Sequence, residues 1–128
     1  MSNKIFRSNC FVIDRYGMKP TTATTEVDTT KKTIEFRAAD YTVTANLDTV
    51  KGLISEYNVI GTTMLKEDNE NNTLIRYTKG IHGMSDKHVT MSLSHLDSGG
   101  IDEYMITADA DKLDKYLRSR KFEKGGDV

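Results

Sequence analysis

Apolar and polar residues alternate with a period of two through most of this chain, and that alternation restricts it to a sheet-rich fold. Sixteen threonines, several alternating with valine, isoleucine or aromatic residues, carry the pattern. β-Branched side chains fit a pleated surface better than a helix. Three such runs precede the first helix: residues 4–14, residues 22–27 after the turn Tyr16-Gly17-Met18-Lys19-Pro20, and residues 33–45. Within the third, Ile34 and Phe36 share one parity while Tyr41, Val43 and Ala45 share the other. That switch at Ala39-Asp40 predicts a bulge or a tight bend.

The period then changes. Val50, Leu53, Ile54 and Tyr57 fall at i, i+3, i+4 and i+7, one face of a three-turn helix, with Asn46 or Asp48 to cap it and Gly61 beyond its end. Gly52 weakens it slightly. Four more strands follow as two hairpins. Ile60-Gly61-Thr62-Thr63-Met64-Leu65-Lys66 and Thr73-Leu74-Ile75-Arg76-Tyr77-Thr78 flank a polar turn; residues 88–96 and 101–107 flank Asp97-Ser98-Gly99-Gly100. A second helix is expected over residues 110–122, with Leu113, Tyr116 and Leu117 on its apolar face. Asp109 or Asp111 at its start and Arg118, Arg120 and Lys121 at its end complement its dipole.

These elements predict one α+β domain over residues 1–128, with 123–128 a frayed tail. It is a mainly antiparallel sheet of six or seven strands with two helices on one face. The other face, rich in threonine and serine, must be solvated or covered by a partner. An open sheet also leaves edges, which favours self-association through one of them.

At 128 residues such a domain buries about two-thirds of its unfolded surface and folds without disulfide or metal. The single cysteine, Cys10, cannot form an internal bridge and suits a reducing compartment. The apolar run at residues 11–13 is too brief for a signal peptide or a membrane span, so the expected location is cytoplasmic. Asn71-Asn72-Thr73, a glycosylation sequon in form, then reads as a turn entering a strand. Eighteen basic residues against nineteen acidic ones give a net charge of −1, so no whole-molecule field draws in nucleic acid or an acidic membrane.

The stretch Lys87-His88-Val89-Thr90-Met91-Ser92-Leu93-Ser94-His95 holds two of the three histidines. As a strand it points Val89, Met91, Leu93 and His95 to a core face and His88, Thr90, Ser92 and Ser94 to a wet one. His88 and His95 then stand roughly 23 Å apart on opposite faces and cannot share a metal. His88-Val89-Thr90-Met91 is similar to the His-hydrophobic-Thr-hydrophobic element of the 2H phosphoesterases. That resemblance implies a histidine acting as acid or base while the Thr90 hydroxyl helps hold a phosphate oxygen. The family uses two such elements, and neither His82 nor His95 repeats the pattern.

Lys79-Gly80-Ile81-His82-Gly83 resembles the Gly-x-x-Gly clamp of the KH family, whose glycines let the backbone approach phosphates. Glycine permits close approach of a ligand, and loops on rigid scaffolds carry function. Lys79, Gly80, His82, Gly83, His88 and Thr90 are therefore the candidate ligand or partner residues. Asp109, Asp111 and Asp114 suggest calcium through Asp-x-Asp, but the EF-hand glycine and terminal glutamate are missing, and helix capping accounts for them. Lys112, Lys115, Arg118, Arg120 and Lys121 form a basic stripe that could contact nucleic-acid phosphates. Cys10 lacks an activating neighbour in sequence and reads as a small buried residue.

No complete nucleophile, acid–base or metal set emerges, so neither a cofactor nor a catalytic residue is expected. The residues suggest a non-catalytic binding or regulatory protein acting through protein contacts or a small ligand. Nucleic-acid binding through the last helix is the first alternative, and phosphoester hydrolysis by His88 with Thr90 the second.

Overall fold

The computed structural model describes residues 3–56, 60–80 and 88–119. Eight strands form one antiparallel sheet in the order β4-β3-β2-β1-β8-β7-β6-β5. They are β1 Asn3–Asp14, β2 Gly17–Asp28, β3 Thr33–Ala38, β4 Tyr41–Asn46, β5 Thr63–Asp68, β6 Thr73–Lys79, β7 Val89–Leu96 and β8 Asp102–Asp109. Helix α1, Leu47–Glu56, follows β4, and α2, Asp111–Arg118, follows β8. The chain thus runs twice through four strands and a helix. No helix among the described residues is long and apolar enough to cross a membrane.

The sheet has eight strands, not six or seven, and the difference lies in the third alternating run. Ala38 pairs with Tyr41 across Ala39-Asp40, and Ala39 takes a positive φ of 52°, so the parity switch is a complete reversal rather than a bend within one strand. The second run also starts earlier, at Gly17, because only Arg15-Tyr16 separates β1 from β2. Pro20 is accommodated there because that part of β2 has no β3 partner and needs no ladder bond on one side.

Aspartates organise the hairpins. Asp14 Oδ1 accepts a hydrogen bond from the Tyr16 N–H, Asp28 Oδ1 from Thr30 and Lys31, Asp68 Oδ1 from Asn71, and Asp97 Oδ1 from Gly99 and Ile101. Each replaces a ladder bond where its strand ends. Four of the nineteen acidic residues are engaged in this way, which accounts for their place in the fold without a reactive role.

Both helices contribute to one core. Leu47, Val50, Leu53 and Ile54 of α1 and Leu113 and Leu117 of α2 join Val27, Ile34, Phe36, Ile75, Tyr77, Met91, Leu93 and Ile106 from the strands. Asn46 caps α1 by accepting from the Thr49 N–H at 3.1 Å. The sheet coils until β4 meets strands of the other half. Thr73 Oγ1 donates to the Thr44 carbonyl at 2.8 Å, the Tyr104 hydroxyl donates to the Thr42 carbonyl at 3.3 Å, and the Asn46 N–H donates to Asp68 Oδ2 at 2.6 Å. The β4 edge is therefore covered by side chains. Among the described residues β5 pairs only with β6, and Thr63 to Glu67 are all exposed.

Within β7, Val89, Met91 and Leu93 face the core as expected. The opposite face is not wet along its length, because Ser92 and Ser94 are buried. Ser92 Oγ shares a hydrogen bond with Thr107 Oγ1, and Arg76, paired to Asp102 at 2.8 Å, also donates to Ser94 Oγ. His95 is half-buried rather than a core residue; its ring stacks on Tyr104 at 5.2 Å and its Nε2 lies 3.0 Å from Glu103.

Candidate functional site

A short junction makes an apolar-lined concavity. β1 pairs with β8 only from Cys10 to Ile13, so the first part of β1 diverges from the point where β8 turns into α2. The resulting cleft has a volume of about 450 Å³ and is bounded by residues 6–9 of β1, Thr22 and Thr25 of β2, Phe36 of β3 and residues 108–113. Phe36, Ala108, Ala110 and Leu113 are buried and give it an apolar lining. Phe6, half-buried, packs its ring 5.8 Å from Tyr116. Arg7, Asn9, Thr22 and Lys112 are exposed around it, with Asp109 and Asp111 beside them.

β7 begins at the same corner. Gly80, with φ of 72°, donates its N–H to the His88 carbonyl, and Lys79 pairs with Val89. Thr90 stands opposite Asp109 on β8. The Val89 N–H donates to Asp111 Oδ1 at 2.9 Å, and the Ala110 N–H donates to the Val89 carbonyl. Lys79, Gly80, His88 and Thr90 thus gather at one end of the sheet, next to Asp109 and Asp111. His82 and Gly83 of the predicted loop lie outside the described residues.

His88, Asp109 and Asp111 each offer one metal-ligating atom, and these atoms lie within 4.8 Å of one another. Capping does not account for both carboxylates. The N-cap of α2 is Ala110, which makes no side-chain capping bond, and Asp109 Oδ1 takes only a long 3.4 Å contact from the Asp111 N–H. Asp114, the third carboxylate, is no cap either: it is buried and accepts from the Tyr77 hydroxyl and from Arg118 Nε.

The basic stripe is divided. Lys112 lines the cleft and Lys115 a smaller hollow of about 200 Å³ with Lys79 and Asp111. Arg118 directs its guanidinium to Asp114, the Tyr77 hydroxyl and the Ile54 carbonyl. Arg120 and Lys121 lie outside the described residues. Cys10 is buried, and burial pushes its thiol pKa up, which disfavours the thiolate.

The cleft residues Arg7, Asn9 and Thr22 carry no motif and could not be singled out from sequence. The pairing of Thr90 with Asp109 carried no such signal either: a turn at Asp97 to Gly100 alone would set Thr90 opposite Thr107, and the irregularity between His95 and Leu96 shifts the register. No protein-family model, curated protein or solved structure matches the chain.

Proposed function

We propose that this is a non-catalytic binding protein whose small-molecule ligand occupies the cleft between β1 and the β8–α2 corner. The observation that carries the reading is the cleft itself. Its volume of about 450 Å³ suits a small molecule, and an apolar lining with a few convergent polar groups is the usual composition of such sites. The exposed Arg7 and Lys112 favour a ligand with an apolar body and an anionic head.

Anilinonaphthalene sulfonate, a ring system bearing one sulfonate, is a suitable probe. Its addition is expected to shift the amide NMR signals of Ser8, Ala108 and Leu113, and Ser8→Trp, which fills the cleft, is expected to abolish those shifts with the melting curve little changed. Shifts scattered over the surface, or unaffected by Ser8→Trp, would reject the cleft as the ligand site.

A second reading, self-association through β5, is favoured by the contrast between the two sheet edges. β4 is covered by Thr73, Tyr104 and Asp68, whereas β5 presents an exposed strand with Met64 and Leu65 on it. An open edge of that kind is a template for another strand.

A further inference from the structure

We infer that His88, Asp109 and Asp111 form a binding site for one divalent transition-metal cation, at the mouth of the cleft and independent of any organic ligand there. Three separate segments supply the donors: the residue before β7, the end of β8 and the first turn of α2. Their ligating atoms lie within 4.8 Å of one another. Ligands on opposite sides of one cation, each about 2.1 Å from it, stand about 4.2 Å apart, so small side-chain rotations suffice to close the set. Asp111 is already held, because the Val89 N–H fixes its Oδ1, while Oδ2 takes no hydrogen bond from the described residues.

The other half of the chain provides an internal comparison. The Leu47 N–H donates to the Lys32 carbonyl just as the Ala110 N–H donates to the Val89 carbonyl, so the two strand-to-helix corners share one backbone hydrogen bond. That match places Asn46 where Asp109 stands and Asp48 where Asp111 stands. In the first half one position is an amide and the other, a carboxylate, has a lysine partner. Asn46 caps the helix, and Asp48 faces Lys32 Nζ at 3.9 Å. In the second half both positions are carboxylates, and no lysine or arginine ion-pairs with either among the described residues. The fold does not require that arrangement, since the first corner forms without it. Two carboxylates at a helix start answer the helix dipole on their own; the imidazole beside them adds a nitrogen donor of the kind that transition-metal cations take.

One nitrogen and two oxygen donors suit manganese, cobalt or zinc better than magnesium or calcium, which favour oxygen alone. The cleft adjoins the open side of such a site, so remaining coordination positions face water or a bound anion.

The test uses untagged full-length protein and Co2+ alone, followed by calorimetry, by the visible absorption of the ion and by paramagnetic broadening of amide signals. Binding of one ion is expected, with broadening centred on Val89 and Ala110. His88→Ala, Asp109→Asn and Asp111→Asn should each weaken affinity about tenfold or more. Asp48→Asn, at the matching corner, should leave it unchanged, and excess Mg2+ should not displace the ion. Absence of broadening at millimolar Co2+ overturns the site. So does unchanged affinity in His88→Ala, or an equal loss in Asp48→Asn, because either result describes diffuse attraction to acidic residues. Circular dichroism of each variant separates lost binding from lost fold.

Discussion

The Tyr77 hydroxyl, on a side chain that is fully buried, donates a 2.6 Å hydrogen bond to Asp114 Oδ1. Arg118 completes the group, its Nε 2.9 Å from Asp114 Oδ2 and its Nη2 3.2 Å from the Tyr77 oxygen. A third bond from Arg118 reaches the Ile54 carbonyl on α1. One polar cluster therefore ties β6 to both helices beneath the apolar core. Asp114→Ala removes the common acceptor and leaves a buried phenol and a half-buried guanidinium without it. The expected loss is about 2–3 kcal/mol, measured as a lower midpoint of urea unfolding. Tyr77→Phe keeps the Arg118–Asp114 pair and should cost about 1 kcal/mol.

The same tyrosine sets an alkaline limit. Burial, and then the neighbouring Asp114 carboxylate, push the Tyr77 pKa from 10.0 to about 12. The folded state thus holds the neutral phenol more strongly than the unfolded chain does. Its contribution is fully present below a pH of about 10 and is lost as pH rises toward 12. Tyr104, raised by burial, and Tyr41, raised by its hydrogen bond to Asp14, act in the same direction. Unfolding free energy measured across this window should fall with pH in the wild type and fall less steeply in Tyr77→Phe. Equal slopes would show that Tyr77 ionises as freely in the fold as out of it.

Strand and helix identities were legible because period two and period 3.6 are local properties of the sequence. The amphipathic stripe of Val50, Leu53 and Ile54 and the alternation of Val89, Met91 and Leu93 both reached the core as read. The reversal at Ala39-Asp40 was only half legible. A parity switch marks a break, yet a bulge and a hairpin turn produce the same switch, and alanine is not a residue that advertises positive φ. The burial of Ser92 and Ser94 was illegible, because it depends on Arg76 from β6 and Thr107 from β8 lying across them. The cleft was hidden for a related reason: it exists because β1 and β8 share only four residue pairs, a register that no local pattern encodes. His88 and Thr90 were visible as one face, whereas their neighbour Asp109 required the hairpin pairing.

Ala39 offers a direct test of that turn. At φ of 52° its Cβ crowds the following carbonyl, a cost that glycine escapes. The larger unfolded-state entropy of glycine offsets part of the gain. Ala39→Gly should therefore stabilise the protein by about 0.5–1 kcal/mol, seen as a higher melting temperature. A destabilising effect of similar size would place Ala39 in an ordinary right-handed or extended conformation.

The exposed β5 edge gives the last prediction, which concerns how two copies would meet. A two-fold axis normal to the sheet keeps each face on its own side, so residues opposite each other in the paired strands must share parity. Centring the axis on Leu65 sets Leu65 against its own copy, Met64 against Lys66 and Thr63 against Glu67, with no like charges directly opposed. Centring it on Lys66 would oppose two lysines, which is unfavourable across a strand pair. The Leu65 register is therefore the one expected, and the wild type should show a concentration-dependent rise toward twice the monomer mass by light scattering. Leu65→Lys places two lysines at the axis and should hold the protein monomeric, while Thr63→Lys, which meets Glu67 instead, should not weaken the dimer. A wild type that stays monomeric up to millimolar concentration, or a Leu65→Lys variant that dimerises as well as the wild type, rules out pairing through this strand.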